Sequence, residues 1–306
     1  MGTIWSRLRP GRKSRSTSSP PLILFFNPDW LALPSEGPIG GGCCQLTFDR
    51  ERYDDADAVI FHIPSLPKPM YAVKRPGQRW VAMSMESDVN YPALRDESFM
   101  AWFDLTMTYR LDSDVTSPYL NLAIAEAMTT PPKPKTEPVP AVYIASNARD
   151  HSGRNAYVSE LMRYMPVDSY GKCLQNRTFV EDRGQTTKLD TITAYRFTLA
   201  FENSISHDYV TEKFFEPLMV GSVPVYLGAP NVADFAPSSH CYIDVHDFAG
   251  PEELSERLQQ LAGDDDAYNR YLDWKTEPFR TEFLELVERL RVCPMDRLAR
   301  IVASSD

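Results

Sequence analysis

The chain has 306 residues, a formal net charge of −10, and 43% hydrophobic and 11% aromatic residues. This length exceeds what a single hydrophobic core usually supports, so we expect two domains. The acidic balance argues against a nucleic-acid-binding protein, which normally carries a basic face. The sequence contains no run of about 20 apolar residues that could form a membrane span.

Residues 1–20 are basic and rich in serine and proline, and we predict a tail outside the folded domains. Residues 21–135 are predicted to form a first α/β domain. Short runs rich in β-branched and aromatic residues indicate strands, and the gaps between them leave room for helices that connect parallel strands. The runs predicted as strands are Leu22–Phe26, Ala58–His62, Arg79–Met83 and Leu105–Thr108.

A proline-dense segment over residues 129–140 is predicted to be an interdomain linker, because proline interrupts helices and central strands. Residues 136–306 are predicted to form a second α/β domain. Its predicted strands are Ala141–Ala145, Val167–Tyr170, Phe197–Phe201, Val223–Leu227 and Tyr242–Val245. Its predicted helices are Arg154–Met165, Val210–Val220 and two closing helices from Pro251 and Glu277. Two such domains bind ligands between them, so the predicted fold class is α/β with two Rossmann-like domains facing a cleft.

The segment AFENSISHDYVTEK at residues 200–213 joins a strand end, a polar loop and a helix start. Unpaired amides at a helix N-terminus, together with the charge of Lys213, are suited to binding a phosphate. Taken alone, an adjacent Glu-Lys pair at a helix start is more typical of a solvated helix with favourable dipole placement. The sequence motifs within and around this segment favour the phosphate-binding interpretation.

FENS, DYVTEK and VPVYLG follow one another in this order, and the whole stretch resembles the donor-binding motif of the α1,3/4-fucosyltransferases, glycosyltransferase family ten. The resemblance implies a GT-B-type fold and GDP-fucose as the donor. It also extends to Ile144-Ala145-Ser146-Asn147 and to a Tyr-Arg-x-Asp-Ser-Asp stretch that ends at Tyr119. The donor-binding residues that it implies are Tyr119, Ser146, Asn147, Arg154, Asn203, Tyr209, Glu212 and Lys213.

GQRWVAMSMES at residues 77–87 is similar to the family's segment with the catalytic carboxylate, which corresponds to Glu86. The resemblance implies that Glu86 takes the proton from the acceptor hydroxyl, and a direct displacement then inverts the anomeric carbon. Arg154 and Lys213 would neutralise the leaving diphosphate. On this interpretation no metal cofactor is required, and stimulation by Mn²⁺ is left open.

The acceptor implied by the resemblance is a hydroxyl of a GlcNAc-containing glycan or glycoprotein, in α1,3 linkage, with VGSVPVYLGAPN favouring the N-glycan core branch. Acceptor contacts are expected in the loops Leu31–Gln45 and Asp88–Met100. Here Ser87-Asp88 replaces the family's Ser-Pro after the catalytic Glu, which leaves the acceptor contacts less defined than the base.

Two alternatives remain open from the residues. Asp112 and Asp114 have the Asp-x-Asp spacing with which a metal-dependent glycosyltransferase shares a divalent cation. A catalytically inactive nucleotide-sugar-binding protein would keep Arg154 and Lys213 without a working base. The five cysteines permit two disulfides in an oxidising compartment. The predicted location is the Golgi lumen in a eukaryote, and otherwise a soluble cytoplasmic one.

Overall fold

A computed structural model describes residues 19–28, 35–66 and 72–304. The chain forms two compact units. The first unit ends at Ser117 and resumes at Val292, and the second unit spans Pro118–Arg291. This division differs from the predicted boundary between residues 135 and 136, because the proline-dense segment packs within the second unit and the last helix packs within the first.

In the first unit, the described residues form a seven-stranded sheet of order β2-β3-β1-β4-β5-β6-β7. All pairs are parallel except β2 with β3. The strands are β1 Leu22–Phe25, β2 Gly37–Ile39, β3 Cys44–Thr47, β4 Ala58–His62, β5 Arg79–Ser84, β6 Leu105–Thr108 and β7 Val115–Thr116. The α-helices of this unit are α1 Glu97–Met100 and, after the second unit, α9 Pro294–Ala303. Short 3-10 helices cover Gly40–Gly42, Arg50–Asp55, Ile63–Ser65 and Pro92–Arg95.

The sheet of the first unit is buried on both faces, which explains why its central strands read as continuous apolar runs. One face carries an aromatic cluster with Phe61 and Trp80 in edge-on contact, their ring centroids 5.0 Å apart. The other face is covered by α9, whose Leu298 is fully buried against the sheet. Asp296 fixes this helix by accepting a hydrogen bond of 2.7 Å from the amide of Gly40.

In the second unit, the described residues form a five-stranded parallel sheet of order β12-β11-β10-β8-β9. Its strands are β8 Ala141–Tyr143, β9 Val167–Ser169, β10 Phe197–Phe201, β11 Val223–Leu227 and β12 Ile243–Asp244. Its α-helices are α2 Leu122–Ala127, α3 Arg154–Leu161, α4 Gln185–Ala194, α5 Glu212–Val220, α6 Pro251–Ala262, α7 Asp265–Asn269 and α8 Thr281–Arg289. Short 3-10 helices cover Val232–Phe235, Val245–Asp247 and Asp273–Thr276.

All nine predicted strands are confirmed, with small differences at their ends. Two predicted helix starts are wrong. Helix α5 begins at Glu212 rather than Val210, because the side chain of Thr211 caps it by accepting from the amide of Lys213. Helix α8 begins at Thr281 rather than Glu277, after Pro278.

The proline-dense segment is held to the second unit by a buried lysine. Lys275 is 7% exposed. Its Nζ donates to the carbonyls of Met128 at 2.7 Å, Thr130 at 3.1 Å and Met219 at 3.4 Å. Burial lowers the pKa of Lys275 to about 8. One side chain therefore ties the start of this segment to the last turn of α5.

Replacing Lys275 by methionine should destabilise the second unit. The substitution fills the space but leaves three carbonyls without their donor, and hydrogen bonds to charged groups contribute about 1.5–3 kcal/mol. We expect a loss of that size in the free energy of unfolding, measured by urea unfolding with the fluorescence of neighbouring Trp274. Lys133→Met, at an exposed position of the same segment, is the control and should stay within about 0.5 kcal/mol of wild type. Equal stability of the two variants would contradict the anchoring role of Lys275.

Candidate active site

The loop over residues 202–211, between β10 and α5, is closed by a buried carboxylate. Glu202 has no exposed surface. Its carboxylate accepts from the Thr211 amide at 2.7 Å and from the Thr211 hydroxyl at 2.8 Å. Because these residues stand at opposite ends of the loop, the two hydrogen bonds fix where α5 begins. We call residues 202–211 the donor loop.

Lys213 lies at the centre of a small charged cluster. Its Nζ is 3.0 Å from the Thr211 hydroxyl, 3.1 Å from Glu212 Oε1 and 3.5 Å from Glu202 Oε2. Burial alone would lower the pKa of Lys213, but the carboxylates of Glu202 and Glu212 outweigh it and raise that pKa. Lys213 is therefore a permanent cation at neutral pH.

The pKa values of the two carboxylates beside Lys213 are shifted in opposite directions. Burial raises the pKa of Glu202, and the charge of Glu212 adds to this effect, although Lys213 opposes it. Burial acts on Glu212 in the same sense, but the charges of Lys213 and Lys188 prevail and lower its pKa to about 2. The Glu212 side chain is 38% exposed and that of Lys213 is 22% exposed, so a ligand can reach both.

Arg154 begins α3 and is 1% exposed. Its guanidinium donates to the carbonyl of Phe201 at 3.1 Å and to that of Asn147 at 2.8 Å. The Arg154 side chain therefore links the end of β10 to the loop after β8. Its Nε is buried and has no hydrogen-bond acceptor among the residues that the structure describes. Buried donors without an acceptor are rare in folded proteins, and the positive charge of Arg154 is therefore held at this site without full hydrogen bonding.

Further hydrogen bonds hold the loop before α3 against the donor loop. The Ser152 hydroxyl donates to the Glu202 carbonyl at 2.5 Å, and the His151 amide donates to the Asn203 carbonyl at 2.8 Å. Asp150 accepts from the amide of Arg154 at 3.0 Å and so orients the first turn of α3. The two loops are therefore hydrogen-bonded to each other at the carboxyl ends of β8 and β10.

In the structure, the predicted donor-binding residues of the second unit lie in these two loops or next to them. Ser146 and Asn147 are exposed, whereas Asn203 is 6% exposed. Tyr209 is 2% exposed and meets the ring of Tyr119 edge-on at a centroid distance of 6.3 Å. The predicted boundary assigned Tyr119 to the first domain, and the structure places it in the second unit.

Sequence reasoning missed three residues that organise this site: Glu202, Ser152 and Asp150. Glu202 carried a usable signal, since it is an acidic residue directly after a strand of five buried residues. A carboxylate at such a position has to be partnered. The other two lie in a polar loop whose contacts depend on tertiary structure.

The predicted base lies in the first unit, just beyond the carboxyl end of β5. Glu86 is half-buried, and its Oε2 accepts from Asn90 Nδ2 at 3.4 Å. The Ser84 hydroxyl accepts from the Glu86 amide at 3.1 Å and donates to the Glu86 carbonyl at 2.9 Å, which fixes this turn. Asp88 follows and is bound by the guanidinium of Arg95 at 2.8 Å and 3.2 Å.

A cavity of about 340 Å³ lies beside this turn. It is lined by Asp88, Leu94 and Met100 from the predicted acceptor loop Asp88–Met100, and by residues at the end of β6 such as Tyr109 and Arg110. Of the other predicted acceptor loop, Leu31–Gln45, residues 31–34 lie outside the described part of the chain.

The proposed metal pair has other partners. Asp112 is bound by the guanidinium of Arg110 at 2.9 Å and 2.7 Å. Asp114 accepts from the amide and the hydroxyl of Thr106, both at 2.8 Å. No group of three metal-binding side chains occurs within residues 19–28, 35–66 and 72–304. The metal-dependent alternative thus gains no support from the geometry of Asp112 and Asp114.

Comparison with known families defines the class of protein. The family described as glycosyltransferase family 10 (fucosyltransferase), C-terminal, matches residues 132–299. The family described as fucosyltransferase, N-terminal, matches residues 18–120. The chain therefore belongs to glycosyltransferase family 10, the fucosyltransferases, and the predicted resemblance is confirmed.

Among curated relatives, the chain is 32% identical over 287 residues to the GDP-fucose protein O-fucosyltransferase 3 of Rattus norvegicus, with 87% of this chain and 59% of the relative covered. It is also 32% identical to the alpha-(1,3)-fucosyltransferase B of Drosophila melanogaster, with 76% of this chain and 56% of that protein covered. The chain thus spans less than two thirds of the length of these relatives.

A solved alpha1,3-fucosyltransferase with GDP superimposes with a TM-score of 0.60 at 18% identity, covering 97% of this chain and 94% of that chain. At this identity the likeness concerns the fold alone. Together with the two mostly parallel sheets, it confirms the predicted α/β fold of the GT-B type.

All five cysteines lie in the described residues, and none is in a disulfide. Across the described residues, no helix combines the length and the apolar character needed to cross a bilayer. The location in the Golgi lumen or the cytoplasm stays a prediction.

The charged cluster gives a pH-dependent stability that can be measured. The pKa of Glu212 is about 2 in the folded protein, against an ordinary value of 4.5. Its stabilising contribution is therefore complete above pH 4.5 and is lost as the pH falls towards 2. We expect Glu212→Gln to lose stability less steeply than wild type between about pH 5 and about pH 3.5, measured by urea unfolding.

Glu256→Gln is the matched control for this measurement, since Glu256 is exposed on α6 and no hydrogen bond or ion pair of its side chain is found in the described structure. It should keep the wild-type slope. A Glu212→Gln slope equal to that of wild type would show that Lys213 and Lys188 do not stabilise the ionised carboxylate.

Proposed function

We propose that the protein transfers fucose from GDP-fucose to an acceptor hydroxyl, with inversion at the anomeric carbon. The observation that carries this proposal is that Arg154 and Lys213 both lie at the carboxyl end of the second unit's sheet, in a chain of the fucosyltransferase family. Both cations lie where an open α/β sheet normally binds its ligand.

The donor loop and its neighbours would act on the leaving group. GDP develops negative charge as its bond to fucose breaks, and fixed cations stabilise that charge. Lys213 is cationic at neutral pH, and the guanidinium of Arg154 adds a second positive charge at the end of β10. These groups perform the task without a metal ion.

Glu86 would act as the general base. Its carboxylate takes the proton of the acceptor hydroxyl while the oxygen attacks the anomeric carbon and GDP leaves from the opposite side. The hydrogen bond from Asn90 Nδ2 holds one carboxylate oxygen of Glu86 in place. One displacement with one base accounts for inversion of configuration.

For the acceptor, we propose a GlcNAc hydroxyl in α1,3 linkage, on a glycan that includes the N-glycan core. The cavity beside Asp88 supports a hydrophilic acceptor, because its lining includes side chains such as Asp88, Thr106 and Tyr109 that can hydrogen-bond to sugar hydroxyls. A second candidate is a serine or threonine hydroxyl of a protein. It is favoured by the similarity to relatives named GDP-fucose protein O-fucosyltransferase 3.

The base is tested by Glu86→Gln, which keeps the size of the side chain and removes its basicity. Because general base catalysis contributes about 10²–10⁴-fold, we expect a fall of that order in the rate of acceptor-dependent GDP release from GDP-fucose. The acceptors are GlcNAc-terminated glycans, core N-glycans and folded serine- or threonine-bearing protein domains, each with and without EDTA. Glu51→Gln, at an exposed carboxylate of the same unit outside both predicted acceptor loops, is the control and should retain activity.

Turnover that survives EDTA and collapses only in Glu86→Gln would support the base and the metal-independent mechanism. The acceptor class that turns over decides between glycan and protein. Tight GDP binding without turnover on any acceptor would favour the catalytically inactive binding protein, and loss of activity in EDTA with rescue by Mn²⁺ would favour the metal-dependent alternative.

The role of Arg154 is tested by Arg154→Lys, which preserves the charge but removes the planar fork. A lysine has one Nζ in place of three guanidinium nitrogens and cannot occupy all their positions, so we expect the Kd for GDP to rise by about tenfold. Isothermal titration calorimetry measures this change, and circular dichroism checks the fold. Arg149→Lys, on the exposed part of the same loop, should bind GDP as wild type does. An unchanged Kd in Arg154→Lys would remove Arg154 from the donor site.

A further inference from the structure

The donor loop contains a backbone conformation that needs support. Asp208 has a φ of 65°, and only Leu174 shares a positive φ among the described residues other than glycine. For a residue with a side chain, a positive φ is disfavoured relative to a negative φ by a factor of about ten or more in the equilibrium constant. It persists only where the surrounding groups enforce it. Asp208 is 3% exposed, so these surroundings are protein groups.

Asn231, in the loop after β11, supplies a two-way contact to Asp208. The Asp208 amide donates to Asn231 Oδ1 at 2.9 Å, and Asn231 Nδ2 donates to Asp208 Oδ1 at 2.9 Å. A single amide side chain thus bonds both the backbone and the carboxylate of the strained residue. His207 Nδ1 also lies 3.1 Å from Asp208 Oδ1, but its ring is exposed.

The end of β11 and the loop after it also pack against the donor loop. The Tyr226 hydroxyl accepts from the Ala229 amide at 2.9 Å and donates to the Tyr209 carbonyl at 3.4 Å. A Cβ at Gly228 would lie 2.3 Å from the Tyr226 hydroxyl and 2.6 Å from Glu202 Cγ. Glycine is therefore required for this close approach, and the two loops pack as one body.

We propose that Asn231 is a positioning residue for nucleotide-sugar binding, acting through the left-handed turn at Asp208. This proposal rests on the proposed donor function of the loop. The turn immediately precedes Tyr209, which packs on Tyr119, and it sets the path of the chain to Thr211 and Lys213. Without Asn231, Asp208 relaxes to a negative φ, and the path from Tyr209 to the start of α5 changes.

The test is a double-mutant cycle of Asn231→Ala and Asp208→Gly, read as the Kd for GDP and GDP-fucose by isothermal titration calorimetry. Asn231→Ala should weaken binding by about tenfold, because the strain is no longer supported. Asp208→Gly removes the strain, since glycine adopts a positive φ freely, and its Kd is the reference for the double variant. In the double variant, Asn231→Ala should cost about threefold or less, so that the two changes are not additive.

Asp234→Ala is the matched control. Asp234 accepts from the same Asn231 Nδ2 at 3.0 Å but is exposed and makes no hydrogen bond to the donor loop in the described structure. It should leave both Kd values unchanged. Binding is measured at a temperature at which circular dichroism shows every variant to be folded, so a purely stabilising role of Asn231 would change the melting temperature and leave Kd unaltered.

Unaltered Kd values in Asn231→Ala would overturn the proposal, and so would an equal loss with and without Asp208→Gly. If the wild-type protein bound neither GDP nor GDP-fucose, the proposed donor site itself would fail. That outcome is distinct from failure of the positioning role, in which wild type binds and the cycle shows no coupling.

Discussion

The second unit depends on how one buried carboxylate is satisfied. Glu202 has no exposed surface, and a carboxylate in that position is tolerated only with hydrogen bonds and a nearby cation. Thr211 supplies two donors, and Lys213 supplies the charge. Because both partners come from the residues around the start of α5, satisfying Glu202 also decides where that helix begins and where its lysine lies.

The same constraint organises the neighbouring loops. The backbone carbonyl of Glu202 accepts a hydrogen bond from Ser152. The Cγ of the Glu202 side chain lies so close to Gly228 that residue 228 cannot have a side chain. Three loops, after β8, β10 and β11, are thereby fixed around one residue. The groups proposed to bind the diphosphate are thus held by hydrogen bonds and ion pairs before any ligand arrives, which limits the reorganisation needed during the reaction.

The strands that the sequence predicts well are those that consist of one short, continuous run of buried residues. β4 and β10 are runs of five buried residues, and each is recognisable without its neighbours. Helix α4 was missed because its threonine-rich sequence QTTKLDTITA has low helix propensity and only two buried positions, Thr187 and Ile192. Strand β2 was missed because Gly37-Pro38 reads as a turn.

Parts of the candidate site were predictable by motif, but their geometry was not. Arg154 reads as an exposed residue at a helix start, yet it is 1% exposed because its guanidinium bonds two carbonyls from separate loops. The Asp208–Asn231 contact joins residues 23 positions apart. No local pattern specifies either arrangement, since each depends on which strands become neighbours in the sheet.

Helix α9 completes the core of the first unit, although the whole second unit separates it in sequence from the strands that it covers. During synthesis, the face of the sheet that includes Ile23 and Val81 has no cover until α9 leaves the ribosome. The first unit therefore cannot finish folding before the second unit has been made. Its nascent sheet has an exposed apolar surface for most of translation, a state in which chaperone binding competes with aggregation.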